Sequence, residues 1–204
     1  MHNLAKNLAD FDKEAGNISS LYRIHIEPGV TPAIRMAALE CALVQLQNVW
    51  GLSCRKLIIQ SCSIDCLTIR NSIVARSSVC RTEPVEFLRL HWGRRNMNAS
   101  WEPDWHVPSV SIRAATLLGN NNLGSLTVGL GAVAVADQVR FARNVVCHNL
   151  PRIWSQFNAM TLRTQFKKYR TVDDYISDLY QGTYVRVLEY WIAEFRTAFS
   201  LALA

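Results

Sequence analysis

No two of the six cysteines, at positions 41, 54, 62, 66, 80 and 147, stand in a C-x-x-C pair. The chain therefore carries neither a dithiol redox motif nor the close-set ligand pairs of zinc ribbons. The nearest approach to a metal set is Cys62 and Cys66 at i, i+4, which could be joined by His91 or His106; the commoner use of such cysteines is as small buried hydrophobes. The first residues, Met1-His2-Asn3-Leu4-Ala5-Lys6-Asn7, lack a basic start followed by an apolar core, and no apolar run reaches membrane-spanning length. Reduced thiols in a cytoplasm, with no membrane partner, are the simplest expectation. There is also no internal repeat, low-complexity tract or domain-splitting linker, so residues 1–204 are expected to form one domain, with 1–30 as an N-terminal arm. Gly129-Leu130-Gly131 is not a phosphate-cradling loop, because no strand precedes it and no lysine follows in place.

What is present is apolar and basic. Half of the 204 residues are hydrophobic, which excludes general disorder and suffices for a core without staples. A formal charge of +6 permits an anionic partner such as RNA without identifying one.

The pattern of apolar residues is helical nearly throughout. A short helix around Leu4–Phe11, a loop at Gly16-Asn17 and a short extended segment over Ser20–Ile26 are expected first. Thr31-Pro32 then reads as N-cap and first helical residue. Ile34, Ala37, Ala38, Cys41, Leu43, Leu46, Trp50, Leu57 and Ile58 carry a long helix to about Gln60, with Gly51 as a place to bend. Glu40 is the one acid on it, either a solvated or salt-bridged group or an acid of a site. The spacing predicts a second helix over Ser63–Ser78, a short one through Val85–Leu90, and a third over Pro108–Leu118 stopped by Gly119. Gly124–Gly131 suits close helix packing or a hinge. Further helices are expected over Ala132–Asn149, after Pro151, from Thr171 to Gly182, and over Tyr184–Leu201. The fold class predicted is all-α, a helical bundle with extra C-terminal helices.

Between Arg94 and Pro108 two prolines break the pattern in a loop rich in arginine and tryptophan. Arg94 and Arg95, beside Trp92, Trp101 and Trp105, are candidate RNA contacts, since exposed aromatics stack on bases and arginines bind phosphates. The alternative is that Trp101 and Trp105 pin the loop to the core.

The stretch from Asp137 to Leu150 gathers the residues with most chemistry. Read as a helix, it places Arg140, Asn144 and His148 at i, i+4 and i+8 on one face, with Arg143 about 100° around from Asn144. Histidine moves protons near neutral pH, and arginine presents a permanently charged fork to phosphate oxygens. Asn144 can orient the imidazole or a sugar hydroxyl. Such a set can handle a phosphodiester with neither metal nor cofactor. The same residues also fit a plain reading, in which both arginines are solvated and His148 only ends a helix before Pro151. Arg70-Asn71 repeats the Arg-Asn pair but has no histidine at the required distance.

Arg143-Asn144-Val145-Val146-Cys147-His148 resembles the R-N-x-x-x-H form of the R-x(4–6)-H signature of HEPN domains, small all-α proteins found among prokaryotic toxins and defence ribonucleases. The resemblance covers this hexapeptide and a compatible helical architecture. It implies metal-independent endoribonuclease activity, with Arg143, Asn144 and His148 as catalytic residues; Arg140, one turn upstream on the same face, is a candidate RNA contact. It also implies a homodimer with a composite active site, a place in toxin–antitoxin or phage-defence systems, and an antitoxin such as a minimal nucleotidyltransferase. The alternative expectation is a non-catalytic helical module that binds RNA or protein through the same residues.

Overall fold

Four of the six prolines open a helix, which is where a residue with fixed φ and no N–H donor is harmless. In the computed structural model, residues 2–79, 83–92, 101–148 and 150–204 are described. Their elements in order are β1 (His2–Asn3), α1 (Ala5–Ile26), α2 (Pro32–Ser63), β2 (Cys66–Leu67), β3 (Ile73–Val74), α3 (Pro84–His91) and α4 (Pro108–Leu117). There follow α5 (Leu123–Gly131), α6 (Val135–His148), α7 (Pro151–Gln165), α8 (Val172–Ser177) and α9 (Val187–Ala202). The fold is all-α, and among the described residues the only sheet is a small three-stranded one in the order β1-β2-β3. Among the described residues no helix is long and apolar enough to cross a membrane.

Three expected elements differ. The helix expected from Thr171 to Gly182 stops at Ser177, after which Leu179 pairs with Arg186 in an antiparallel bridge. Residues 20–26 are not extended; a single helix, α1, runs through Gly16-Asn17 to Ile26. Phe11, Ala15, Ile18, Tyr22 and His25, spaced by four and three, are all buried, and that stripe outweighs the helix-weakening pair, whose Gly16 faces open space. Residues 63–78 form a hairpin instead of a second helix. Thr68 Oγ1 accepts from the backbone N–H of Arg70 (3.2 Å) and Ser72 (3.1 Å), and Asn71 takes the left-handed conformation at φ 60°. A turn closed by a left-handed asparagine reverses the strand, so Arg70-Asn71 is turn chemistry. β2 pairs antiparallel with β3 and parallel with β1.

The chain separates into two compact units. The first comprises Met1–Asp12, Trp50–Val133 and Arg196–Ala204. Its core holds Phe11, Trp50, Leu57, Leu118, Leu126 and Phe199, with the Phe11 and Phe199 rings 5.7 Å apart. Gly129 lies so close to α9 that a Cβ would fall 2.4 Å from Ala202 N and 2.5 Å from Ala198 O, the close packing anticipated for 124–131. The tryptophan loop is pinned here. Arg55 forks onto Glu102 (2.6 and 2.9 Å), Trp105 Nε1 donates to the same carboxylate (3.0 Å), and Trp105 is buried. Trp101 rests on Trp92, over which Arg113 stacks at 4.6 Å. Arg94 and Arg95 lie outside the described residues.

The second unit comprises Lys13–Val49 and Ala134–Phe195. Tyr22, Leu39, Leu43, Val139, Phe157, Tyr175 and Trp191 fill its interior. Buried Gln138 accepts through one oxygen from Trp191 Nε1 (3.0 Å) and Tyr175 OH (3.1 Å), so one amide holds α6, α8 and α9 in register. His25, fully buried, donates to Asp173 (2.8 Å) and to the Arg35 carbonyl (2.9 Å). Thr171 caps α8, accepting from Asp174 N at 3.0 Å.

Candidate active site

α6 buries Val135, Gln138, Val139, Ala142 and Val145 along one stripe, which leaves Asp137, Arg140, Asn144 and His148 for the other side. The helix ends at His148 for a local reason. Pro151 disfavours helical geometry in the residue before it, and Leu150 is extended (φ −92°, ψ 140°) as N-cap of α7. His148 is thereby held exposed in the last turn of α6, where a basic side chain also suits the negative end of the helix dipole.

Three of the residues singled out in the sequence come together. Arg143 Nη1 donates to Asn144 Oδ1 at 3.0 Å and lies 3.3 Å from His148 Nε2. The guanidinium, half-buried, reaches along the helix toward its C-terminus and touches both the amide and the imidazole. An arginine can only donate, so its contact with Nε2 requires that nitrogen to carry a free lone pair.

Arg140 is placed differently. It pairs with Asp137 one turn upstream (2.8 Å) and its guanidinium lies 4.7 Å over the Phe141 ring, so it is not joined to the Arg143–Asn144–His148 group. Among the described residues no carboxylate hydrogen-bonds to His148. Glu40 instead stands beside the neighbouring cysteine, accepting from Cys147 Sγ at 3.9 Å. Burial raises the Cys147 thiol pKa; nearby Arg143 opposes the shift and Glu40 adds to it. Cys147 is thus held as a neutral thiol and not as a nucleophile. Sequence reasoning missed this contact because the partners are 107 positions apart. The only signal was the isolation of Glu40 on an otherwise unacidic helix.

The cysteines set against histidine in the sequence are occupied otherwise. Cys62 is buried and receives Asn120 Nδ2 at 3.1 Å, and Cys66 Sγ donates to the Ile64 carbonyl at 3.4 Å. Among the described residues no three histidine, cysteine or acidic side chains gather where they could hold a metal.

Comparison of the chain with family models, curated proteins and solved structures finds no match.

Proposed function

We propose that the chain is a metal-independent endoribonuclease of HEPN type, acting as a toxin or phage-defence effector. The observation that carries this reading is the contact of one guanidinium with both Asn144 and His148 at an exposed helix end. A permanently charged phosphate ligand beside a proton-accepting imidazole is the minimum set for transesterification of RNA. The ribose 2′-oxygen attacks the adjacent phosphorus and loses its proton to a base. The bond from phosphorus to the 5′-oxygen breaks, and an acid protonates the leaving oxygen. The products are a 2′,3′-cyclic phosphate and a 5′-hydroxyl. His148 takes one of these proton-transfer roles, Arg143 stabilises the charge of the phosphorane, and Asn144 holds the arginine in place.

One protomer supplies a single histidine in this stretch, whereas the reaction uses a base and an acid on opposite sides of the phosphate. A homodimer with a two-fold axis near Asn144 supplies both. An antitoxin such as a minimal nucleotidyltransferase would restrain the activity, and free thiols suit a cytoplasmic location. The second reading is a non-catalytic helical module that binds RNA or protein. It is favoured by the absence of a carboxylate on His148 among the described residues. Incubation of the purified chain with single-stranded RNA in excess chelator separates the two. Cleavage that disappears in His148→Ala supports the enzyme; binding without turnover supports the module.

A further inference from the structure

Residues 138–172 contain no aspartate or glutamate and seven cations: Arg140, Arg143, Arg152, Arg163, Lys167, Lys168 and Arg170. The remaining fifteen lysines and arginines face all sixteen acids, so the whole positive balance of the chain comes from this one segment. It includes the candidate active site, all of α7 and the turn that follows, and it lies within the second unit.

The segment is also ordered in space. On α7, Arg152, Gln156, Ala159 and Arg163 are exposed at i, i+4, i+7 and i+11, so they share one face. That face starts four residues after His148, on a helix about 22 Å long. At that end Phe166 is the C-cap, in the left-handed conformation at φ 53°, ψ 24°, with 73% of its surface exposed. Glycine is the residue that fits such a cap without strain. A phenylalanine here is unfavourable for the backbone and for solvation alike, and strain of this kind concentrates at functional positions. Directly after it, Lys168, Arg170, Asp174 and Ser177 line an open cavity of about 500 Å³. Lys167 and Tyr169 both bond Asp178, each at 2.8 Å, and so occupy that carboxylate. Arg152, Arg163, Lys168 and Arg170 form no ion pair with any described residue.

We propose that this surface is a binding track for single-stranded RNA, running from the Arg143–His148 end of α6 along α7 to Phe166, which stacks on an unpaired base while Lys168 and Arg170 hold the adjoining phosphates. The proposal rests on the nuclease reading for its choice of ribose substrate. Single-stranded RNA is the form that fits, because stacking on an exposed ring needs a base free of its duplex partner.

The test is direct binding of a fluorescent single-stranded 2′-O-methyl oligonucleotide, which cannot be cleaved by 2′-hydroxyl attack, followed by anisotropy over a range of salt concentrations. Phe166→Gly is expected to weaken binding roughly tenfold while leaving the melting temperature unchanged or higher. A merely structural role for the ring predicts the opposite change in stability. Lys168→Gln with Arg170→Gln is expected to reduce the salt slope by about 1.4, the value for two phosphate contacts on a single strand. Wild-type affinity and slope in both variants would overturn the track, as would equally tight binding of the same sequence as a duplex. Failure of the wild-type chain to bind the oligonucleotide, or preferential binding of poly-glutamate, would overturn it too. Cleavage of unmodified RNA, assayed in parallel, separates the two proposals. Variants that bind normally in a chain that cleaves remove the track alone; variants that lose binding in a chain that never cleaves remove the nuclease alone.

Discussion

Nη1 of Arg143 lies 3.3 Å from Nε2 of His148, at donor–acceptor distance from a nitrogen that must be unprotonated to receive it. Arg143→Lys keeps the charge but loses the planar group whose Nη1 meets Asn144 and His148 while Nη2 and Nε are left to fork onto a phosphate. RNA cleavage by Arg143→Lys is expected to fall about a hundredfold or more, close to the loss in Arg143→Ala, with far-ultraviolet circular dichroism unchanged. Full activity in the lysine variant would show that charge alone is sufficient.

Gln138 offers a test of the scaffold. Its one oxygen satisfies both Trp191 Nε1 and Tyr175 OH in a buried setting. Gln138→Leu leaves Trp191 Nε1 without its acceptor and Tyr175 OH with the weak acceptor Met160 Sδ at 3.8 Å, a loss of about 1–3 kcal/mol by urea denaturation. A loss within about 0.5 kcal/mol would mean that the two donors find other acceptors.

Gly129 tests the close approach in the first unit. A methyl group there meets backbone atoms of α9 at 2.4 and 2.5 Å, which rotamer changes cannot relieve. Although alanine is the better helix former, Gly129→Ala is expected to destabilise the fold by about 1–3 kcal/mol. A stabilised variant in the same denaturation assay would contradict the packing.

The Arg55–Glu102 pair predicts a pH dependence. Hydrogen bonds from Arg55, and secondarily from Trp105, hold the Glu102 carboxyl below the usual carboxylate range against the opposing effect of burial. A depressed folded-state value contributes stability that is complete above the unfolded value, about 4.3, and is lost as pH falls through the folded one. The melting temperature of wild type should therefore exceed that of Glu102→Gln by a constant margin above about pH 5.5 and by a shrinking one in more acid solution. A margin independent of pH would show that the pair does not anchor the loop.

Much of this structure is legible in the chain, and the illegible parts have particular causes. Pro32, Pro84, Pro108 and Pro151 mark helix starts, and Thr171 caps α8 by its own hydroxyl. The Arg143–Asn144–His148 group could be read because all three side chains lie on one helix within two turns. The hairpin could not, since Ile64, Leu67, Ile73 and Val74 fit a helical stripe as well as two short strands. What decides is Thr68 bonding its neighbours' N–H groups and Asn71 adopting positive φ, features with little weight in a periodicity argument. α1 shows the reverse case, in which the buried spacing from Phe11 to His25 overrides a local breaker. The Cys147–Glu40 contact joins two distant helices, and no spacing rule connects them.

Composite activity has its own signature. If acid and base come from two copies of His148, mixing His148→Ala with Arg143→Ala protomers forms heterodimers in which one site regains part of its inventory. Partial recovery of cleavage over either variant alone is expected. A chain that sediments as a monomer at micromolar concentration and cleaves at full rate would remove the shared site.

The most direct measurement is the chemistry of the product ends. Single-stranded RNA incubated with the purified chain in excess chelator should yield fragments ending in a 2′,3′-cyclic phosphate and beginning with a 5′-hydroxyl, resolved by mass spectrometry. In His148→Ala the rate should fall by about a hundred- to ten-thousand-fold with the fold intact. Intact RNA after prolonged incubation with folded wild-type protein, or cyclic-phosphate products formed equally fast by His148→Ala, would contradict the assignment.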